Sequence, residues 1–343
     1  MTGASTRKRP TQADVARAAG VSQTVVSLVL NDRALVAVSE ATRERVQAAI
    51  ADLGYVADGA ARSLRTGKSL LVASLIPDIT NPFYPAFERG IQDIADDRGY
   101  DLVAYNTDGL RAKELRALRA VQRARVDGII ATPFQLKADD FAPLLADGVP
   151  VVVFGEFAEP TTVPRFDTIF LNDEAAAGRL VEHLIDRGYS PLGMVAAADN
   201  HRRREGRMVA YRRLLAERGE GQAEMLAFGN DPTEAGGYAA MKELLARSPR
   251  PRAVFAANDM MALGALVAIR EAGLRVPADI ALAGYDDITV ARLANPSLTT
   301  VAQFPERLGR RAAEMLFERL AGTVVGEGRR VEMPYELIVR DSA

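Results

Sequence analysis

The sequence predicts a short all-α head followed by an α/β body of two open parallel-sheet subdomains. In about the first sixty residues, apolar side chains recur at helical spacing between capping residues. From Ser69 onward, apolar runs of strand length alternate with helical segments, which is typical of parallel sheets covered by helices on both faces. Nine such runs are more than one sheet comfortably holds, so we expect two sheets.

The head begins with two predicted helices joined by a glycine turn. Thr11 and Asp14 form a Thr-x-x-Asp start, in which the hydroxyl caps backbone N–H groups and the carboxylate favours the positive end of the helix dipole. Gly20 supplies the positive φ that ends this helix, and Ser22 caps a second helix over 23–30. Two such helices match the helix-turn-helix unit, whose second helix enters the DNA major groove.

A third helix is predicted from Ser39 through Leu53, with Gly54 after its last turn. Three helices around a small core would also suit a general interaction module. The outer face of the second helix favours DNA binding, because it carries uncharged hydrogen-bonding groups of the kind that bind base edges. These side chains are Gln23, Thr24, Ser27 and Asn31.

The body is predicted from its apolar runs, and a linker precedes it. Residues 58–68 are rich in Arg, Ala, Ser and Gly and have little to bury in a core. In open α/β sheets, ligands bind outside the carboxyl ends of the strands. The predicted strands are 70–76, 102–105, 128–131, 149–154, 168–171, 192–197, 225–228, 253–256 and 280–283.

Composition excludes several classes of site. The 343 residues include no Cys and only two His, His183 and His201. Disulfides, thiolate zinc sites and cysteine nucleophiles are excluded, and a His-based metal centre or catalytic triad has almost nothing to be built from. We therefore expect no cofactor, no metal and no enzymatic activity. Without a signal peptide or an apolar run of about 18 residues, the protein is expected to be cytoplasmic and away from the membrane.

The net charge of −2 hides an uneven distribution. Residues 1–69 carry ten Lys or Arg and six Asp or Glu, a net +4, and the rest of the chain carries 33 against 39, a net −6. A basic head on an acidic body is the asymmetry expected when one end of a protein meets a polyanion such as nucleic acid.

A set of motifs runs in order along nearly the whole chain: TQADVARAAGVS at 11–22, VSLVLN at 26–31, VSEATRERV at 38–46, AARSL at 60–64, TGKS at 66–69, PDITNPF at 77–83, VDGII at 126–130, FAANDMMALGA at 255–265, GYDD at 284–287 and LTT at 298–300. With them the sequence resembles the lactose-repressor (LacI/GalR) family. The resemblance implies a homodimeric, nucleoid-associated transcription regulator, more often a repressor. Its heads would bind a pseudo-palindromic DNA operator, and a small effector would bind its periplasmic-binding-protein-like body.

The resemblance also implies DNA contacts in the head. Gln23 and Thr24 stand where the family's recognition helix begins, and Gln can bond adenine through two hydrogen bonds while Thr offers a hydroxyl and a methyl group. Leu28 departs from the Arg often found there, so no known operator can be carried over. Leu28 could pack on a thymine methyl or shield the first helix, and Ser27 could contact phosphate or only the surface. The implied set is Thr11, Ser22, Gln23, Thr24, Ser27, Leu28 and Asn31.

The linker resembles the family's hinge helix, which folds on DNA. There Leu64 would wedge into a minor-groove step and bend the duplex, although it could instead be an exposed linker side chain. Arg62, Arg65 and Lys68 would neutralise phosphates, and Ala61 belongs to the same expected set of DNA contacts. Asp58 and Gly59 weaken this expectation, because Asp repels phosphate and Gly lowers helix propensity.

Seven positions in the body match the family's effector cleft: Asn81, Phe83, Tyr84, Arg207, Asn258, Asp286 and Gln303. An aromatic face covers the apolar side of a sugar ring, and carboxylate, amide and guanidinium groups bind its hydroxyls. Arg207 and Asp286 could instead form a structural ion pair, Asn258 could cap the helix that follows it, and Phe83 could be core. A carbohydrate or sugar derivative is the expected effector.

Two local features leave the identity of the effector open. Gly155 and Glu156 stand where sugar-binding relatives often carry Asp-Arg, which argues against copying any relative's sugar. The basic run over 201–204 could recognise an anionic effector or lie in solvent.

The expected division is a DNA-binding domain over 1–57, a hinge over 58–68 and a body over 69–343. Within the body, we expect an N-subdomain of about 69–165 and 297–325 and a C-subdomain of about 166–296 and 326–343. Because the chain ends soon after the strand-like run 335–339, a dimer is favoured over a tetramer. A solute receptor or an enzyme would be the alternatives, and the basic head and missing nucleophile–base pair oppose them.

Overall fold

The computed structural model describes residues 10–30, 38–55, 67–155, 166–198, 202–217 and 224–343. The chain divides into two compact units, Met1–Ser69 and Leu70–Ala343. The helices are α1 (Gln12–Ala19), α2 (Gln23–Leu30), α3 (Glu40–Leu53), α4 (Phe83–Asp97), α5 (Arg111–Ala124), α6 (Ala142–Ala146), α7 (Asp173–Asp186), α8 (Arg202–Glu217), α9 (Glu234–Leu245), α10 (Asp259–Glu271), α11 (Thr289–Leu293) and α12 (Pro305–Leu320).

The strands of the described residues all lie in the second unit. They are β1 (Leu71–Ile76), β2 (Asp101–Asn106), β3 (Gly128–Ala131), β4 (Val151–Phe154), β5 (Asp167–Phe170), β6 (Leu192–Ala197), β7 (Met225–Gly229), β8 (Ala253–Ala256), β9 (Ala281–Ala283), β10 (Thr300–Ala302), β11 (Arg330–Glu332) and β12 (Glu336–Ile338).

In the first unit, α1 starts with the predicted capping box. The Thr11 hydroxyl accepts a hydrogen bond from the Asp14 N–H at 3.4 Å, and the Asp14 carboxylate accepts one from the Thr11 N–H at 2.9 Å. Gly20 ends α1 at φ 65°, and Gly54 ends α3 at φ 59°. The buried apolar side chains of this unit are Val15, Ala16, Ala19, Val26, Val29, Val46 and Ala49.

The chain bends by 104° between α1 and α2, as expected for a helix-turn-helix. No single helix among the described residues is long and apolar enough to cross a membrane, and α1 and α2 pass that test only as this bent pair.

The first sheet of the body has six parallel strands in the order β11-β5-β4-β3-β1-β2. Helices α4 and α12 pack on the face of this sheet that carries Val72, Ile76 and Ile130. Helix α5 packs on the opposite face, against Ala73 and Ile129. Both faces are covered, as expected for a parallel sheet.

The second sheet has four parallel strands in the order β7-β6-β8-β9. Strands β10 and β12 form a separate antiparallel pair, and bridges from Ala283 to Thr299 and from Asp286 to Ala302 tie β10 to the end of β9. All nine predicted strands are present, each within two residues of its predicted bounds.

The subdomain boundaries differ from the expected ones in three places. The pairing of Val153 with Thr168 puts β5 in the first sheet, although 166 was expected to begin the C-subdomain. The pairing of Val331 with Ile169 puts β11 there as well, whereas the bridge at Ala302 puts β10 beside the second sheet. The physical reason is that strand membership depends on hydrogen bonds to a distant partner, which apolar patterning does not specify.

Candidate functional site

A cavity of about 270 Å³ opens at the carboxyl ends of β4 and β5. Open α/β proteins bind their ligands at this position. All seven of the expected effector positions line it, namely Asn81, Phe83, Tyr84, Arg207, Asn258, Asp286 and Gln303. The structure therefore brings together side chains that lie up to 222 positions apart in the sequence.

Gly155, which the sequence analysis singled out as a departure from sugar-binding relatives, also lines the cavity. The lining residues that sequence reasoning missed are Phe134, Phe154, Phe170, Leu171, Asn172, Asp173, Glu174 and Gly206. The residues from Phe170 to Glu174 could have been found from the sequence, because they lie at and just after the carboxyl end of the predicted strand 168–171, where such folds bind ligands. The sequence carries no comparable signal for Phe134, which lies in a loop after β3.

Arg207 is the best-anchored polar group in the cavity. Its Nε lies 3.2 Å from Asp173 Oδ1, its Nη1 donates to the Ala257 carbonyl oxygen at 2.5 Å, and its guanidinium carbon lies 3.6 Å from the centre of the Tyr285 ring. The Tyr285 hydroxyl donates to the same Asp173 oxygen at 2.7 Å. A buried charge is tolerated when it is paired and hydrogen-bonded in this way.

The environment keeps Arg207 charged. Burial by itself lowers the pKa of Arg207, but the charges of Asp173, Tyr285 and Asp286 outweigh burial and raise it above the usual value. Burial together with Asp173 raises the pKa of the Tyr285 hydroxyl, so this group stays protonated and acts as a donor. Arg207 and Tyr285 thus fix the Asp173 carboxylate at the cavity wall.

Asp286 lies at a strained turn beside Arg207. Its φ of 121° is uncommon for a residue with a side chain, and its N–H donates to the Val301 carbonyl oxygen at 2.9 Å. Gln303 Nε2 donates to its Oδ1 at 2.5 Å, whereas Arg207 Nη1 is 3.9 Å away. The closer ion pair of Arg207 is with Asp173, so the expected alternative of an Arg207–Asp286 pair describes the weaker of two contacts.

Asn258 has the capping role that the sequence analysis left open. Its Oδ1 accepts from the Met261 N–H at 2.8 Å at the start of α10, and its Nδ2 donates to the Pro232 carbonyl oxygen at 2.9 Å. Behind it, Asp259 is fully buried and accepts from Thr300 Oγ1 at 2.7 Å and from the Ile288 N–H at 2.9 Å. Burial and the nearby Asp286 raise the pKa of Asp259 well above its usual range.

An aromatic wall faces these polar groups. The rings of Phe83 and Tyr84 meet edge to face with centres 5.2 Å apart, and Phe83 stacks on Phe154 at 6.1 Å. Both Phe83 and Tyr84 are buried, so Phe83 is part of the core as well as of the cavity. Asn81 Oδ1 accepts from the Phe83 N–H at 3.0 Å and holds the start of α4.

Phe134 is held in the wall by a carboxylate on α5. Glu114 is buried and accepts from the N–H groups of Phe134 at 2.6 Å and Gln135 at 2.9 Å. Arg111 reinforces the same loop through the Gln135 carbonyl oxygen at 2.8 Å. The loop after β3 is therefore tethered to α5 at Phe134 and Gln135.

The charge balance of the described residues that line the cavity is acidic. Among them Asp173 and Asp286 face one cation, Arg207, and Glu174 pairs with Arg213 at 3.2 Å. Among the described residues, no group of three or more His, Asp or Glu is arranged to hold a metal ion. The cavity suits a ligand with hydroxyl groups and an apolar face.

The expected DNA-contact residues of the head fall into exposed and half-buried groups. Ser22, Gln23 and Thr24 are exposed at the start of α2, whereas Ser27 and Leu28 are half-buried. Exposed Thr11 uses its hydroxyl in the cap of α1, and Ser22 Oγ accepts from the Val25 N–H at 3.3 Å. The expected positions outside the described residues are Asn31, Ala61, Arg62, Leu64 and Arg65, together with Asp58, Gly59, Glu156 and His201.

The sequence matches two known families. Residues 11–58 match the family described as "Bacterial regulatory proteins, lacI family", and residues 181–343 match the "Periplasmic binding protein-like domain". The chain is 37% identical to the HTH-type transcriptional regulator CelR of Thermobifida fusca, covering 98% of this chain and 99% of that protein. It is 33% identical to the ribose operon repressor of Escherichia coli K12, covering 97% and 99%.

The solved structures that resemble this chain include regulators of the same family. The CelR–cellobiose complex is 33% identical with a TM-score of 0.71, covering 98% of this chain and 100% of that one. The lac repressor dimer bound to operator and the anti-inducer ONPF is 28% identical with a TM-score of 0.82, covering 98% and 99%. This chain belongs to the LacI family of bacterial transcriptional regulators.

Proposed function

We propose that this regulator is a repressor whose affinity for operator DNA is controlled by an uncharged carbohydrate bound in the cavity. The observation that carries the proposal is the meeting of all seven expected effector residues in one cavity of the body. The head of the same chain matches a DNA-binding family over residues 11–58. A ligand site and a DNA-binding head in one chain are the two parts that effector-controlled regulation requires.

The chemistry of the cavity supports a neutral polyol. The rings of Phe83, Tyr84 and Phe134 offer an apolar face for a sugar ring, and Asp173 and Asp286 accept hydrogen bonds from its hydroxyl groups. Among the described lining residues, carboxylates outnumber guanidinium groups, which disfavours a phosphorylated or carboxylated ligand. Cellobiose and ribose occupy solved relatives, so carbohydrates have precedent in the fold.

On the DNA side, Gln23 and Thr24 are the proposed base-contacting side chains. Both are exposed at the start of α2, which is the recognition helix of a helix-turn-helix. Ser22, Ser27 and Leu28 flank them, and Leu64 is the proposed minor-groove wedge. We also propose a homodimer acting in the cytoplasm at the nucleoid, since a pseudo-palindromic operator calls for two heads and a solved relative is a dimer on its operator.

Control of DNA binding requires that the effector bind two arrangements of the body with different affinity. An effector with equal affinity for both would not shift the equilibrium between them. Asp286 is well placed to transmit this difference. It contacts Gln303 and Arg207 and is bridged to β10, so its strained backbone joins the cavity to the strands beside the second sheet. We propose binding and no catalytic step at this site.

A thermal-shift screen followed by operator titration tests the proposal. Neutral mono- and disaccharides and their phosphates are added to the full chain, and a ligand of the folded state raises its Tm. The active sugar is then added to complexes with DNA selected by the protein from random duplexes. Asp286→Ala is expected to retain DNA binding and lose both the Tm shift and the response to sugar, whereas Asp97→Ala, at an exposed position in the last turn of α4, keeps them.

Two results would contradict the proposal. Retention of the full Tm shift by Asp286→Ala would remove Asp286 from the site. A shift produced only by phosphorylated sugars would show that the effector is anionic.

A further inference from the structure

Three exposed arginines of α5 and the arginine that directly follows the helix form a basic group, which we call the α5 arginine row: Arg116, Arg119, Arg123 and Arg125. All four are exposed, and none of them makes an ion pair within the described part of the chain. The neighbouring cations of the same helix behave differently, because Arg111 pairs with Asp140 at 2.8 Å and Lys113 pairs with Asp108.

No carboxylate on α5 neutralises the row. The only acidic residue of this helix is Glu114, and it is buried against the N–H groups of Phe134 and Gln135. Arg116 and Arg119 lie at i,i+3, and Arg119 and Arg123 lie at i,i+4, so like charges face each other along one stripe. Such a stripe costs helix stability, and it stands out on a body whose net charge is −6.

Arg125 adds a backbone feature. It follows α5 at φ 51°, in the left-handed conformation that usually favours glycine at the end of a helix. A residue with a long side chain costs free energy in this backbone conformation. No ion pair of Arg125 among the described residues offsets that cost. The row therefore carries both charge repulsion and backbone strain.

The row ends where the chain enters the body. Just after Arg125, Asp127 N–H donates to the Leu71 carbonyl oxygen at 2.8 Å, and Asp127 Oδ2 accepts from the Leu70 N–H at 3.1 Å. Leu70 is the first residue of the second unit, and the segment before it comes from the DNA-binding head. Arg123 and Arg125 thus lie near the amino ends of β1 and β3 in the first sheet.

We propose that the α5 arginine row binds DNA phosphates outside the site that the head reads. Guanidinium groups bind phosphate oxygens through paired hydrogen bonds, and such contacts add affinity without reading sequence. From Arg116 to Arg123 the helix rises about 10 Å, and the long side chains can reach successive phosphates from it. The body thereby adds a second, sequence-independent DNA contact to this regulator.

The test is the salt dependence of binding by the full chain to a random-sequence duplex of about 40 bp. Each phosphate contact contributes about 0.9 to the slope of log Kobs against log[KCl]. The variant R116Q/R119Q/R123Q is expected to flatten that slope by about 2 to 3 per bound protomer and to bind more weakly at low salt. Gln preserves helix propensity, and a thermal melt of each variant checks its folding.

The matched control is R179Q/R187Q/R270Q, which removes the same charge from three exposed arginines elsewhere on the body. Its slope is expected to stay close to that of the wild type. Equal slopes for the wild type and R116Q/R119Q/R123Q would overturn the proposal and point to an acidic protein as the partner of the row. Equal flattening by both variants would also overturn it, since the effect would then come from net charge alone.

Discussion

Glu88 shows how a single buried carboxyl can make stability depend on pH. It lies on α4 and accepts a hydrogen bond from the Ser74 hydroxyl of β1 through Oε1. Its Oε2 is buried and has no hydrogen-bond partner in the described part of the structure. Burial raises the pKa of Glu88 from 4.5 to about 7, although the Ser74 hydrogen bond opposes the change.

The folded state therefore holds the Glu88 proton more tightly than the unfolded chain. This contribution to stability is complete below pH 4.5 and is lost as the pH rises to about 7. Glu88→Gln keeps a neutral side chain, so we expect it to raise the free energy of unfolding at pH 8 by up to about 3 kcal/mol relative to the wild type. Urea unfolding between pH 5 and pH 8 measures the difference.

Glu332→Gln is the control for this prediction, because Glu332 is exposed on β11. It should leave the pH dependence unchanged. Parallel pH curves for wild type and Glu88→Gln would show that Glu88 is ionised in the folded protein throughout this range.

At the scale of elements, the crossing of α4 and α12 depends on two glycines. A Cβ at Gly309 would overlap the carbonyl oxygen of Phe87, and a Cβ at Gly90 would overlap that of Glu306. The two helix backbones therefore touch directly, which holds α12 against the first sheet even though it follows α4 by more than 200 positions in the chain.

Gly309→Ala is expected to lower the free energy of unfolding by about 3 kcal/mol, because the added methyl group meets backbone that cannot rotate away. Gly178→Ala, in the interior of α7, is the matched control. Its nearest neighbour would be Arg213 Nη2 at 3.6 Å, so it should gain up to about 1 kcal/mol from helix propensity. The shift in urea midpoint measures both, and equal effects would show that the α4–α12 contact can relax.

At the scale of the whole molecule, the two units have separate cores. The head core consists of a few aliphatic side chains, whereas the body core extends through both sheets. A small core supplies little free energy of unfolding, so the head should be the less stable unit.

Scanning calorimetry of the full chain is therefore expected to show two transitions, with the head melting first. A sugar that binds the cavity should raise only the transition of the body, because it stabilises the unit to which it binds. Duplex DNA should raise the transition of the head. A single transition that responds to both ligands as a unit would contradict this prediction.

Much of the local structure could be predicted from the sequence. The capping box of Thr11 and Asp14, the glycines that end α1 and α3, and the nine strands were all found where local patterns place them. Resemblance to a family also identified seven side chains that the structure brings to one cavity. These features depend on residues that are close together in the sequence, or on motifs that are short continuous stretches of it.

The amino-acid sequence by itself determined the order of the elements, their ends and the basic head on an acidic body. Only the tertiary structure decided that β5 and β11 complete the first sheet, that Asp173 holds Arg207, and that Phe134 enters the cavity wall. The physical reason is distance along the chain. The hydrogen bond from Tyr285 to Asp173 joins residues 112 positions apart, and contacts of that kind arise from packing rather than local propensity.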